Sequence, residues 1–163
     1  MWQTGQIALK LIHKTNDLTI VLKSCCVTIS EDTFVVIGGS FGTKQVLSYN
    51  ENTKKWTHWK DLPVDRQDHA CIKENDSILV TGGYTNRTQT MRIDLDRETQ
   101  IFSGNLNKGR YCHNMAILNG KIVAIGGAPA TNTIEEWDGA EWKTLETTLK
   151  SSYRYNFAVV SFP

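Results

Sequence analysis

The sequence lacks a charge bias: eighteen Lys and Arg oppose seventeen Asp and Glu, leaving a formal charge of +1. Near-neutrality removes the electrostatic case for nucleic acid or an acidic membrane as the main partner. It also lacks long apolar runs, and none approaches the roughly 18 residues that span a bilayer. The opening residues Met1 to Lys10 (MWQTGQIALK) have neither the basic start nor the apolar stretch of a secretory signal. A cytoplasmic location is therefore expected. Cysteine is scarce. Cys25, Cys26, Cys71 and Cys112 are too scattered for a disulfide framework, and with four histidines they assemble no zinc spacing. Free thiols, no metal and no cofactor are the expectation. The two glycosylation sequons, Asn75-Asp76-Ser77 and Asn86-Arg87-Thr88, read as chance matches. Gly-x-Gly-x-x-Gly and Walker spacings are absent, which argues against a phosphate cradle.

What is present is a chain composed to fold. Aromatics make up 9%, with five each of Trp, Tyr and Phe, and charged residues 21%, so global disorder is not expected. A length of 163 residues suits one domain or a few units of a repeat array. The repeat is visible in the glycines. Gly38-Gly39, Gly82-Gly83 and Gly126-Gly127 are 44 residues apart, and so are Arg66, Arg110 and Arg154, and His69 and His113. Val46 to Asn50, Thr90 to Asp94 and Ile134 to Asp138 fall at one equivalent position.

Each unit reads as four short strands. The first is mostly apolar (Cys26 to Ile29, His69 to Ile72, His113 to Leu118) and is followed by a turn, of which Asn119-Gly120 carries the strongest hairpin signal. The second ends in the diglycine and is short and β-branched (Phe34 to Ile37, Ile78 to Thr81, Ile122 to Ile125), as suits a strand buried on both faces. The third is the Val46–Asn50 segment and its equivalents. The fourth centres on Trp56 to Trp59, Ile101-Phe102 and Trp142 to Leu145. A four-stranded antiparallel unit repeated radially is the blade of a β-propeller.

The combined pattern resembles the kelch repeat. It comprises a diglycine after an apolar strand, an aromatic plus Asn or Asp ending the third strand (Tyr49-Asn50, Trp137-Asp138), and a Trp shortly after (Trp56, Trp142). The Arg before the next first strand fits as well. The resemblance runs from Cys25 to Asn156. The middle unit departs from it, with Ile93 for the aromatic and Ile101-Phe102 where Trp is expected. Trp137-Asp138 alone suggests a WD repeat, but the Gly-His partner is missing. The resemblance implies an all-β, kelch-type propeller with three units at 25–68, 69–112 and 113–156. A degenerate partial blade would occupy 1–24, and the first strand of a further or shared blade 157–163.

Residues that recur in every unit are expected to be structural. The diglycines would permit positive φ or close backbone approach. Trp56 and Trp142 would pack between blades, with ligand stacking as the alternative. Arg66, Arg110 and Arg154 admit two readings: bonding loop carbonyls between blades, or forming a basic binding ring. A metal or catalytic role for His69 and His113 is not expected. Residues that differ between units carry specificity. In kelch propellers the second-to-third-strand loops and the fourth-to-first-strand loops share the ligand face. Here these are Ser40 to Lys44, Tyr84 to Gln89 and Ala128 to Thr133, with Leu62 to Asp68, Leu106 to Cys112 and Lys150 to Asn156. They display Phe41, Lys44, Tyr84, Asn86, Arg87, Tyr111 and Tyr155. Arg and aromatics are enriched in binding hot spots. The candidate partner-binding set is Arg66, Asp68, Tyr84, Asn86, Arg87, Arg110, Tyr111, Arg154 and Tyr155, and an acidic peptide segment is the natural ligand.

Three units fall short of the four to eight blades that close a propeller. The chain is expected to be a piece of a longer kelch protein. The alternatives are an open arc that associates through its blade edges, or a compact four-bladed ring. The resemblance implies a non-catalytic protein-interaction module, such as the substrate-recognition part of a cullin ubiquitin ligase adaptor whose BTB domain is not in this chain. A fragment without independent function and an actin-binding protein are alternatives. So is a kelch-fold carbohydrate-active enzyme, for which Asp68 beside His69 is the suggestive cluster and Cys112 beside Tyr111 falls short of a copper ligand set.

Overall fold

The computed structural model describes residues 23–40, 43–96, 100–130 and 132–150. The expected partial blade over residues 1–22, the strand over 157–163, and Phe41, Arg154 and Tyr155 lie outside the described residues. Those described form fourteen β-strands and no helix, and the strands build three antiparallel four-stranded sheets of kelch-blade type. The chain divides into two compact units, Met1–Gln67 and Asp68–Pro163.

The first unit holds one blade, ordered β1 (Cys25–Thr28), β2 (Thr33–Ile37), β3 (Gln45–Asn50) and β4 (Lys55–Asp61). Val35, Val36 and Ile37 are buried, as their β-branched run requires. Phe34, Tyr49 and Trp56 form an aromatic cluster with ring centroids 5.0 to 5.5 Å apart. A bulge between Val46 and Leu47 opposes Lys60 and His58, so Trp59 has no paired residue across the ladder.

The second unit holds two blades. One runs β5 (Ala70–Glu74), β6 (Ser77–Thr81), β7 (Thr90–Asp94) and β8 (Gln100–Ser103). The other runs β10 (Asn114–Leu118), β11 (Lys121–Ile125), β13 (Ile134–Trp137) and β14 (Trp142–Thr144). A further two-residue ladder pairs β9 (Arg110–Tyr111) with β12 (Ala128–Pro129). Asn119 and Gly120, with φ of +51° and +75°, close the β10–β11 hairpin in the left-handed conformation that Asn-Gly favours. Between the two blades lies an apolar core that includes Ala70, Leu79, Leu106, Met115, Ile122, Trp137 and Trp142. Two indoles anchor it. Trp137 Nε1 donates to Glu74 Oε1 (3.0 Å) and Trp142 Nε1 to Thr90 Oγ1 (2.9 Å), so each buried N–H is satisfied by the neighbouring blade.

The Asn or Asp that ends each third strand has one physical job. Asn50 Oδ1 accepts from the N–H groups of Asn52 and Thr53, Asp94 Oδ1 from that of Asp96, and Asp138 Oδ1 from those of Ala140 and Glu141. A short side chain that bonds its own backbone two or three residues on reverses the chain into the fourth strand. The cysteines depart from the expectation of four free thiols. Cys26 and Cys112 are free thiols, whereas Cys25 and Cys71 are not.

Candidate functional site

The diglycines lie where the second strand leaves its sheet. Gly82 and Gly83 have φ of +60° and +118°. A Cβ on Gly82 would sit 2.5 Å from the Arg110 carbonyl oxygen and 2.8 Å from His113 Cε1, so both positive φ and close approach demand glycine there. The Gly83 N–H donates to the Arg110 carbonyl at 3.0 Å, and Gly39 does the same to Arg66 at 2.7 Å. The diglycine and the arginine are thus two ends of one recurring contact.

The arginines at the repeat position are interior residues. Arg110 is fully buried. Its Nη1 donates to the carbonyls of Gly126 (2.9 Å) and Thr133 (3.2 Å), its Nε to Lys108 O (3.2 Å), and its Nη2 to Thr133 Oγ1 (3.0 Å) and to Glu135. Glu135 is buried too, and its carboxylate also accepts from the N–H groups of Asn107 (2.6 Å) and Lys108 (3.0 Å). Burial pulls the Arg110 guanidinium below its ordinary pKa, and Glu135 opposes that shift. Arg66 is likewise buried, which lowers its pKa to about 10 against the opposing charge of Asp65. Of the two readings offered by the sequence, the geometry of Arg110 fits bonding of loop carbonyls.

Glu135 was missed by the sequence reasoning, although a signal existed. The positions 44 and 88 residues earlier hold Met91 and Leu47, so a carboxylate stands in an otherwise apolar register. His113 also lies inside, with Nε2 2.8 Å from Thr81 Oγ1. Burial, together with Arg110 and His69, holds its pKa well below 6.5. Asp68 and Cys112 occupy one repeat position, and both adopt positive φ (+56° and +53°). The Asp68 carbonyl accepts from the Cys112 N–H at 2.7 Å.

The remaining candidates meet on the surface of the second unit. Tyr84 is 51% exposed, and its ring meets that of Tyr111 edge-on with centroids 5.4 Å apart. The Arg87 guanidinium lies 5.1 Å from the Tyr111 ring centre and 5.8 Å from that of Tyr84. Its Nε donates to the Tyr84 carbonyl at 3.3 Å. Main-chain bonds splice the two loops: the Arg110 N–H donates to the Arg87 carbonyl (2.8 Å) and the Leu106 N–H to that of Thr88 (2.8 Å). Gly109 lies against this splice, where a Cβ would come 2.9 Å from Arg87 Cβ. The Asn86 carbonyl closes its own loop on the Gln89 N–H (3.2 Å). The structure therefore brings Tyr84, Arg87 and Tyr111 together, with Asn86 beside them, and buries Arg66 and Arg110. Among the described residues, no three His, Cys, Asp or Glu side chains cluster as a metal site.

No family model matches the chain. Curated relatives do. Kelch-like protein 35 of Homo sapiens is 30% identical over 103 residues, 59% of this chain and 18% of that protein. Kelch-like protein 24 of Rattus norvegicus is 29% identical over 109 residues, 63% of this chain and 18% of that protein. An F-box/kelch-repeat protein of Arabidopsis thaliana is 25% identical over 112 residues, 66% of this chain and 28% of that protein. The chain thus spans less than a third of the length of each. The 44-residue period, the three blades and these relatives together relate the chain to the kelch-repeat family, as the counterpart of part of a kelch protein.

Proposed function

We propose that the chain is a non-catalytic protein-interaction module that takes an acidic segment of a partner protein on the loops carrying Tyr84, Arg87 and Tyr111. One observation carries this reading. The Arg87 guanidinium is held against two tyrosine rings and tethered through Nε. It has no carboxylate partner among the described residues. A planar fork whose rotamer is already restrained loses little entropy on binding a carboxylate, and its terminal nitrogens suit bidentate contact. Tyrosine and arginine at the centre of such a patch are the residue types that dominate binding energy. Capture of a substrate for a cullin ubiquitin ligase in the cytoplasm is the finer form of the proposal, and it rests on the kelch resemblance.

The test is calorimetric titration of the chain with a glutamate-rich synthetic peptide and its lysine-rich counterpart. Saturable binding of the first alone, weakened at least tenfold by Arg87→Ala and by Tyr111→Ala, supports the reading. A tenfold loss corresponds to about 1.4 kcal/mol. Affinity unchanged in both variants, or equal for both peptides, overturns it.

A further inference from the structure

Lys108 is an exposed cation whose main chain is held on both sides by one buried ion pair. Its N–H donates to Glu135 Oε1 at 3.0 Å, and its carbonyl accepts from Arg110 Nε at 3.2 Å. The residues around it are held as firmly. The Asn107 N–H donates to Glu135 Oε2 and Asn107 Nδ2 to the Trp142 carbonyl, both at 2.6 Å. The Leu106 and Arg110 N–H groups bond the carbonyls of Thr88 and Arg87. The repeat demands neither this clamp nor this charge. The positions 44 residues before Asn107, Lys108 and Glu135 hold Pro63, Val64 and Met91.

The clamp sets Lys108 beside Arg87. A Cβ on Gly109 would come 2.9 Å from Arg87 Cβ. Neighbouring Cα atoms are about 3.8 Å apart, so Lys108 Cα lies within about 8 Å of Arg87 Cβ. Neither cation has an ion-pair partner among the described residues. Carboxylates that approach the loop are engaged elsewhere. Glu135 pairs with Arg110, and Glu141, whose Cα would sit 3.3 Å from a Cβ on Gly104, acts on Lys143. Asp68 borders the loop farther along, where its carbonyl takes the Cys112 N–H. Two like charges carried on spliced loops raise the local potential, and a doubly acidic ligand neutralises both. In an extended peptide, residues i and i+2 project from one face about 7 Å apart, which matches the span between the two anchor points.

We infer that Lys108 is the second cation of the acidic-segment site and sets its specificity. The inference rests on the function proposed above and narrows the ligand to an extended segment with two acidic residues separated by one, Glu-x-Glu or Asp-x-Asp. One carboxylate takes the Arg87 fork in bidentate contact, and the other takes the Lys108 ammonium as a point charge. Because the loop is already ordered, little backbone entropy is lost when the segment docks.

The experiment is titration of the full chain, followed by nuclear magnetic resonance, with four end-blocked pentapeptides. They are Ala-Glu-Ala-Glu-Ala, its two counterparts with one Glu replaced by Gln, and Ala-Glu-Glu-Ala-Ala. The first is expected to bind at least tenfold more tightly than each of the others. Lys108→Ala, an exposed change, removes that preference and leaves affinity for the singly acidic peptides within about threefold. Lys121→Ala, which takes the same charge from the β10–β11 turn, leaves the preference intact. Any other peptide matching the first, a preference that survives Lys108→Ala, or an equal loss in Lys121→Ala overturns the inference. Arg87→Ala and Tyr111→Ala separate the two readings. If they weaken binding while Lys108→Ala does not, the loop face stands and this assignment falls. No saturable binding of any peptide overturns both.

Discussion

Trp56 in the first blade and Trp142 in the third each pair across the ladder with the aromatic near the end of the third strand, Tyr49 and Trp137. Trp142 is buried against the second blade and donates to Thr90. Trp56 packs edge-on against Phe34 and beside Tyr49, and its buried Nε1 finds no acceptor among the described residues. One residue in one register has two energetic roles, set by what lies across from it. A buried indole N–H left unbonded carries a desolvation penalty that a bonded one avoids, so the same tryptophan stabilises one blade more than the other. Position 135 repeats the lesson. Glu135 meets Arg110, while the same register one unit earlier holds the buried, uncharged Met91.

The largest effect that sharpens this comparison comes from Glu135→Ala. It leaves the Arg110 charge buried and takes the acceptor from the N–H groups of Asn107 and Lys108. A loss of about 3–5 kcal/mol is expected in urea unfolding followed by circular dichroism. The double change Arg110→Met with Glu135→Met, which copies the apolar register, should recover part of that loss but not all of it. The carbonyls of Gly126 and Thr133 would still lack their donor.

Acidification comes next. His113 is buried with a pKa held far below its ordinary 6.5, so the unfolded chain binds a proton there before the folded one does. Its contribution is complete above pH 6.5 and is lost as pH falls from 6.5 toward the folded value, at up to about 1.4 kcal/mol per pH unit. His113→Gln should flatten that part of the stability–pH curve. A curve unchanged by the substitution would refute the assignment.

Trp142→Phe against Trp56→Phe tests the opening comparison directly. Both lose ring volume, but only the first loses a hydrogen bond and orphans Thr90. It should be the costlier by about 1 kcal/mol in the same unfolding assay. Equal costs would show that the indole bond adds nothing. The smallest expected effect on stability is Arg87→Ala, within about 0.5 kcal/mol, because the side chain is on the surface. Its consequence should appear in peptide titration alone.

The blades were legible in the sequence because their determinants are local and recur. Each diglycine ends a β-branched run, each third strand ends in a residue that bonds its own turn, and Asn119-Gly120 marks its hairpin. Strand bounds differed from expectation by a residue or two, as at β5, which begins at Ala70 rather than His69. The candidate site was less legible. Tyr84, Arg87 and Tyr111 could be assigned to loops, but that the rings and the guanidinium stack depends on splicing of the loops by main-chain bonds, which no side-chain pattern announces. The 44-residue recurrence of Arg66 and Arg110 left a structural and a binding reading open, and it is the carbonyl-lined interior around Arg110 that separates the two.

The Arg110 brace has one further consequence. Apart from Glu135 and the Thr133 hydroxyl, everything its side chain grips is main-chain carbonyl, and its own carbonyl is gripped by Gly83. Carbonyls are alike whatever residue bears them, so the brace does not register the identity of side chains in residues 84–88 or 128–130. Those segments can be rewritten while the brace stays in place. In this reading the second unit is a display frame, in which recognition can change rapidly over a scaffold that does not have to change with it.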